Sequence, residues 1–145
     1  MIESEPYVPP DDELRAIFRE ARTIAVVGLS SKPDRPSNEV AAFLQERGYR
    51  IVPVNPNETE VLGERAYPSL LDVPAEISIE IVDVFRRAEE TPSIAEQAVR
   101  RGAKILWLQQ GIVSEDARRI AEAAGSTVIM GVCIRTTMGR LETTR

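Results

Sequence analysis

Ile24-Ala25-Val26-Val27-Gly28-Leu29-Ser30-Ser31-Lys32-Pro33-Asp34-Arg35-Pro36-Ser37 decides how the rest of the chain is read. Four apolar, strand-forming residues run without alternation into a glycine, as in a parallel strand covered on both faces. A polar, basic loop follows, and helical spacing resumes at Ser37. A glycine at a strand end lets backbone N–H groups approach an anion, and a helix N-terminus adds partial positive charge. Ser30, Ser31, Lys32, Arg35 and Ser37 then fall where a phosphate-bearing ligand would be received. Pro33 and Pro36 stiffen the loop by fixing φ.

Working outward, the same pattern recurs. Residues 1–10 are acidic and proline-rich and read as an extended arm, with one domain over 11–145. Asp11 or Asp12 is expected to cap a helix to Ala21, with Leu14, Ile17, Phe18 and Ala21 at helical spacing. Thr23 to Val27 is the first strand. Ser37 opens a helix with Val40, Ala41, Phe43 and Leu44 on one face, stopped by Gly48. Tyr49 to Val54 is the next strand, ended by the turn signal Asn55-Pro56-Asn57. Glu60 to Leu62 and Tyr67 to Leu71 are expected to pair briefly or form a turn of helix. Ile79 to Val84 is a strand, and Thr91-Pro92 starts a helix to Arg101, closed by Gly102. Lys104 to Leu108 is a strand, Ser114 caps a helix to Ala124, and Thr127 to Met130 is the last strand. A short helix over Cys133 to Leu141 completes the order.

Short strands alternating with helices of about a dozen residues imply right-handed βαβ units. The expected fold is α/β: a doubly wound, mainly parallel, five- or six-stranded Rossmann-like sheet with helices on both faces, in a single domain. Ligands of such sheets lie beyond the carboxyl ends of the strands, near the point where strand order reverses. That rule selects Gly28 to Ser37 (with Leu29 and Pro36), Asn55 and Pro56, Phe85 to Arg87, and Gln109 to Gly111.

Composition narrows the function. The chain has 145 residues, 43% hydrophobic and 28% charged, which suits one soluble domain with a sizeable core. A formal net charge of −5 argues against a general nucleic-acid binder. No apolar run approaches the ~20 residues needed to span a bilayer, and the first residues have no signal-peptide pattern. A single cysteine, Cys133, fits a reducing compartment, so the cytoplasm is the expected location. The absence of histidine removes the commonest general base and metal ligand, and no metal site or catalytic group is expected.

The candidate loops differ from familiar nucleotide signatures. In a G-x-G-x-x-G fingerprint glycines would occupy positions 30 and 33, where Ser30 and Pro33 stand; a Walker A loop would end in Gly-Lys-Ser/Thr. Asn55 occupies the place where an NAD-binding domain carries a ribose-binding acid, and serves as a ligand contact or a plain turn. Phe85, Arg86 and Arg87 would stack on a purine and reach phosphate, or else Phe85 is core and the arginines pair with Glu89 and Glu90. Gln109 and Gln110 offer amides to a neutral ligand, or are solvated above a packed Trp107. Cys133 reads most simply as a small buried apolar residue; a nucleophile is the lesser alternative, with Arg135 close but no pattern of basic residues around it arguing for a thiolate.

Val-Val-Gly-Leu-Ser-Ser-Lys-Pro-Asp-Arg-Pro-Ser (26–37), Val-Pro-Val-Asn-Pro (52–56), Ala-Tyr-Pro-Ser-Leu (66–70), Val-Asp-Val-Phe-Arg-Arg (82–87) and Trp-Leu-Gln-Gln-Gly (107–111) together resemble the stand-alone CoA-binding domain proteins. These are similar to the CoA-binding portion of the succinyl-CoA synthetase α subunit and of NDP-forming acyl-CoA synthetases. The resemblance runs from about Thr23 to Leu141. It implies that Gly28, Ser30, Lys32, Arg35 and Ser37 hold phosphates, that Asn55, Pro56 and Val84 to Arg87 border the nucleotide, and that Gln109, Gln110 and Gly111 lie nearer the pantetheine arm. Gly131-Val132-Cys133 departs from the Asp-Arg-Cys pattern usual after the last strand. The synthetases rely on a phosphorylated histidine on another domain, so their chemistry does not carry over to a chain with none.

The function expected is binding of coenzyme A, or an acyl-CoA, by a non-catalytic carrier, sensor or accessory protein. The expected partner is a small nucleotide ligand, with a protein partner or homo-oligomer left open, and neither nucleic acid nor membrane. An NAD(P)-linked oxidoreductase, or an acyl-CoA transferase or synthetase accessory subunit, stands as the alternative.

Overall fold

The structure, a computed structural model, describes residues 5–143. Five strands, β1 (Thr23–Val27), β2 (Arg50–Val54), β5 (Ile81–Val84), β6 (Ile105–Leu108) and β7 (Thr127–Met130), form one parallel sheet in the order β2-β1-β5-β6-β7. Strand order reverses between β1 and β5, so the loops that leave these two strands diverge and open a crevice at their carboxyl ends. β3 (Glu60–Val61) and β4 (Glu64–Arg65) form a separate antiparallel hairpin.

Side-chain alternation divides the core in two. Ile24, Val26, Ile81, Trp107 and Ile129 pack on one face with α1 (Asp11–Glu20), α2 (Pro36–Glu46) and α5 (Ile134–Thr143). Ala25, Val27, Val82, Val84 and Leu106 pack on the other with α3 (Thr91–Arg100) and α4 (Glu115–Ala123). The central strands are buried at every position, which is why they lack a two-residue polar alternation. Trp107 is fully buried, stacks on Phe18 with ring centroids 5.7 Å apart, and donates its indole N–H to Val132 O at 2.9 Å. This hydrogen bond satisfies the polar edge of the largest core side chain.

Both margins of the sheet carry extra backbone contacts. Tyr7 pairs antiparallel with Met130, each N–H donating to the other's carbonyl at 3.0 Å, and the Arg118 guanidinium lies 3.5 Å above the Tyr7 ring centre. Next to β2, Tyr67 N–H donates to Pro53 O at 3.0 Å and Asn55 N–H to Tyr67 O at 2.8 Å. The sixth sheet position is therefore filled by single residues and not by a strand.

Several boundaries differ from expectation for identifiable reasons. The N-cap of α1 is Pro10, with no side-chain cap; Asp11, Asp12 and Glu13 instead sit in the first turn, where their charge favours the helix dipole. α2 starts at Pro36 with Arg35 as N-cap, one residue before Ser37. Tyr49 belongs to the turn into β2, its N–H donating to Leu44 O and its hydroxyl to Phe18 O. Ile79 and Glu80 precede β5; the Glu80 carboxylate accepts the N–H groups of Arg22 and Thr23, while its own N–H donates to Thr23 O at 3.2 Å. Lys104 likewise stands outside β6, its N–H donating to Glu80 O. In the 60–71 segment, Glu60 pairs with Arg65 and not with Tyr67, and Leu70–Asp72 makes a single 3-10 turn. Ser114 caps α4 as expected, accepting the Ala117 N–H at 3.1 Å.

Candidate functional site

The crevice is built around the contact between two strand ends. Gly28 has φ +88°, and its N–H donates to Val54 O at 2.7 Å. A Cβ there would lie 2.6 Å from the Phe85 carbonyl oxygen and 3.0 Å from Arg86 Cδ. Glycine is thus required twice, for its backbone conformation and for the approach of the Phe85-Arg86 segment. Phe85 N–H donates to Val27 O at 2.8 Å, tying that segment to β1.

The loop after Gly28 holds itself closed. Ser30 N–H donates to Ser37 Oγ at 3.0 Å, Lys32 N–H to Ser30 Oγ at 3.1 Å, and Ser31 N–H to a Glu58 carboxylate oxygen at 2.9 Å. Asn38 Nδ2 donates to Ser30 O and Asn55 Nδ2 to Leu29 O. The amides of Ser30, Ser31 and Lys32 are therefore engaged within the protein, and Ser37 is buried, 6% exposed. Lys32 and Arg35 face outward, exposed and outside any ion pair among the described residues. Leu29 and Val84 are fully buried and line neither cleft. Asn55 acts as a turn residue: its Oδ1 accepts Asn57 N–H at 2.9 Å while its amide holds Leu29.

At the end of β5 the arginines take the ion-pair alternative. Arg86 meets Glu90 at 2.7 Å, and Arg87 meets Glu90 at 3.0 Å and Glu89 at 3.9 Å. Hydrogen bonds first from Arg86 and then from Arg87 hold the Glu90 carboxyl below its ordinary range. Yet Arg86 lines two clefts. One, of about 350 Å³, opens toward α3 between Gly28, Pro56, Ser69, Arg86 and Gln97. The other, of about 680 Å³, opens toward α2 and α5 between Pro36, Phe85, Arg86, Gln109, Gln110 and Cys133. Arg87 lines the second as well, whereas Gly111 lines neither.

Residues missed in the sequence complete these clefts. Ser69, Ser93 and Gln97 line the first; Val40, Ile112 and Cys133 line the second. Ser69 lies inside the 66–70 motif, which was its signal; α3 offered no comparable signal for Ser93 or Gln97.

Cys133 corrects its reading as a core residue. It is half-buried at the head of α5. Burial opposes its ionisation, but hydrogen bonds from the Thr136 backbone and hydroxyl, the Gln109 side chain and the Arg135 backbone prevail, leaving the thiol below its ordinary pKa. Gln109 is itself buried, and its Oε1 accepts Ile134 N–H at 3.1 Å, so the glutamine clamps the helix head. Beside it, Asp83 is 0% exposed and neither carboxyl oxygen has a hydrogen-bond partner. Burial, with a smaller contribution from Cys133, pushes that carboxyl well above its ordinary pKa. No group of three metal-ligating side chains occurs among the described residues, and no described helix is long and apolar enough to cross a membrane.

Comparison with known proteins agrees with the fold. The profile of the CoA binding domain family matches residues 22–138. An uncharacterized Bacillus subtilis protein, YneT, is 43% identical over 127 residues, covering 88% of this chain and 93% of its own. The α subunit of an ADP-forming acetate–CoA ligase II from Pyrococcus furiosus is 32% identical over 127 residues, covering 81% of this chain and 28% of that subunit. A solved structure of a hypothetical protein from Pyrococcus horikoshii is 38% identical, with a TM-score of 0.90 over 98% of this chain and 99% of its own. The chain therefore matches small proteins end to end and the ligase subunit over about a quarter of its length.

Proposed function

We propose, since this chain belongs to the CoA-binding domain family, that it binds coenzyme A or an acyl-CoA across both clefts, as a carrier, sensor or accessory protein without chemistry of its own. The observation that carries this reading is Arg86, which lines both clefts and lies against Gly28 in the first. A ligand with a charged nucleotide at one end and a narrow arm at the other suits two clefts that share a guanidinium in their walls. Lys32 and Arg35, exposed and uncommitted to ion pairs among the described residues, supply the positive charge that the ligand's phosphates require. The loop amides contribute little to this, because Ser30, Ser31 and Lys32 spend theirs internally. The non-catalytic part of the proposal draws support from the lack of histidine and from Glu90, the cleft carboxylate, being held ionised by two arginines.

Isothermal titration with CoA tests the proposal. Binding at tens of micromolar or tighter is expected, corresponding to roughly −6 kcal/mol or better. Lys32→Ala with Arg35→Ala should weaken CoA by about tenfold or more while leaving dephosphorylated pantetheine unchanged, since each charge-assisted contact is worth roughly 1.5–3 kcal/mol at best. No binding by demonstrably folded protein refutes the ligand; equal loss for CoA and pantetheine refutes the phosphate role. Thermal shift with NAD and NADP in parallel should show no stabilisation.

A further inference from the structure

Two features of the second cleft remain unspent in the binding reading: a half-buried thiol at its wall and an unpartnered carboxyl behind that thiol. Cys133 heads α5 and accepts from the backbone N–H groups of Arg135 and Thr136, and Gln109 fixes the helix head by accepting the Ile134 N–H. It shares the cleft with Phe85, Arg86, Gln109 and Gln110. Asp83 alternates with Val82 and Val84 along β5, so its carboxyl projects to the face covered by α2 and α5, where it interacts electrostatically with Cys133. Orphaned buried carboxyls are rare in folded proteins and mark places where something beyond packing is served. Burial pushes Asp83 toward its neutral form, and helix-head N–H groups favour the thiolate form of Cys133.

We propose that Cys133 is a covalent capture point for the thiol end of the coenzyme, forming a mixed disulfide with CoA in the second cleft. The inference rests on the CoA-binding reading and adds a reaction to it. The reactant is a CoA disulfide. The Cys133 thiolate attacks one of its sulfurs, a Cys133–S–S–CoA bond forms, and the original S–S bond breaks. The second CoA leaves as a thiolate and takes up the proton that Cys133 released on ionising. One disulfide replaces another, so no further oxidant is consumed. The protein thereby becomes a thiol-redox sensor specific for the coenzyme.

The test uses the full chain, in which Cys133 is the sole cysteine, so any thiol adduct is located by mass alone. Native protein is incubated with CoA disulfide and, separately, with glutathione disulfide at equal concentration, and intact mass is followed in time. The expected result is a mass gain of one CoA less two hydrogens, reversed by dithiothreitol. It should form at least about tenfold faster than the glutathione adduct, because binding raises the local concentration of the disulfide. Adenosine 3′,5′-bisphosphate should slow the CoA reaction and leave the glutathione reaction unchanged. In urea the two disulfides should react alike. Titration with reduced CoA under dithiothreitol reads the reversible site independently. Reversible binding without preferential adduct formation overturns the covalent inference and leaves the binding reading standing. Absence of both overturns both.

Discussion

Replacing Gly28 with alanine isolates the contact on which the crevice is built. At φ +88° any L-residue pays for the left-handed conformation, roughly 1–2 kcal/mol. The added methyl then meets the Phe85 carbonyl oxygen at 2.6 Å and Arg86 Cδ at 3.0 Å. Arg86 Cδ belongs to a long side chain and moves cheaply. The carbonyl does not, because Phe85 N–H is bonded to Val27 O and the segment continues a buried strand. Forcing a methyl against fixed backbone costs about 1–3 kcal/mol more, for a total near 2–5 kcal/mol. Gly48→Ala is the control: its φ is +96°, yet nothing lies within 4 Å of its built Cβ. It bears the conformational cost alone, and the loss of unfolded-state entropy on Gly→Ala is common to both variants. Urea unfolding at constant m should therefore place Gly28→Ala about 1–3 kcal/mol below Gly48→Ala, a further fall in Tm of roughly 2–4 °C per kcal/mol for a domain of this size. If the two variants agree within about 0.5 kcal/mol, the close approach of β1 and β5 ends is not what requires glycine.

Two further outcomes follow from buried groups. Asp83 keeps its proton in the folded protein at pH values where an unfolded aspartate, with a pKa of about 3.9, has lost it. Wild-type stability is then fully supported below about pH 4 and declines as pH rises toward the raised folded value, by up to about 1.4 kcal/mol per pH unit. Asp83→Asn lacks this slope, so its stability relative to wild type should improve as pH rises above about 4 in denaturant titrations; a difference that stays constant as pH rises refutes a raised buried acid. Arg101 donates to four carbonyls, Leu70 and Val73 at 2.8 Å, Ile77 at 2.9 Å and Pro74 at 3.1 Å. Arg101→Ala should cost about 2–4 kcal/mol and release the 70–77 segment to hydrogen exchange, and Arg101→Lys should recover little, since one ammonium cannot span the fork.

The fold was legible where one residue type repeats along a strand. Thr23–Val27 and Thr127–Met130 appear with the boundaries their apolar runs imply. β2, β5 and β6 begin later than the runs suggest, because Tyr49, Glu80 and Lys104 direct their hydrogen bonds to turns and neighbouring strands. The β3–β4 hairpin was unreadable for a sharper reason: its two-residue strands carry no periodicity, and its turn places Leu62 at φ 55° before Gly63 at φ 79°. Leucine is not a residue that announces a left-handed turn. For the site, strand-end logic located the crevice, and Phe85, Arg86, Gln109 and Gln110 line it. It did not show that Ser30 and Ser37 close the loop on itself, since that depends on which hydroxyl a backbone N–H reaches. Nor did it foresee Asp83 and Cys133 as neighbours fifty residues apart in sequence, which only the packing of α5 over β5 brings about.

The Tyr7 and Tyr67 contacts have a consequence for what this sheet can do in company. A parallel sheet with bare outer strands offers a row of backbone donors and acceptors to any passing extended segment. At β7 that row is met by Tyr7, held by Arg118; at β2, Pro53 has no N–H to offer and its carbonyl is occupied by Tyr67. An incoming strand would have to evict one of these residues before adding to the sheet. Growth by strand addition, whether into aggregates or onto a partner's sheet, is opposed at those places.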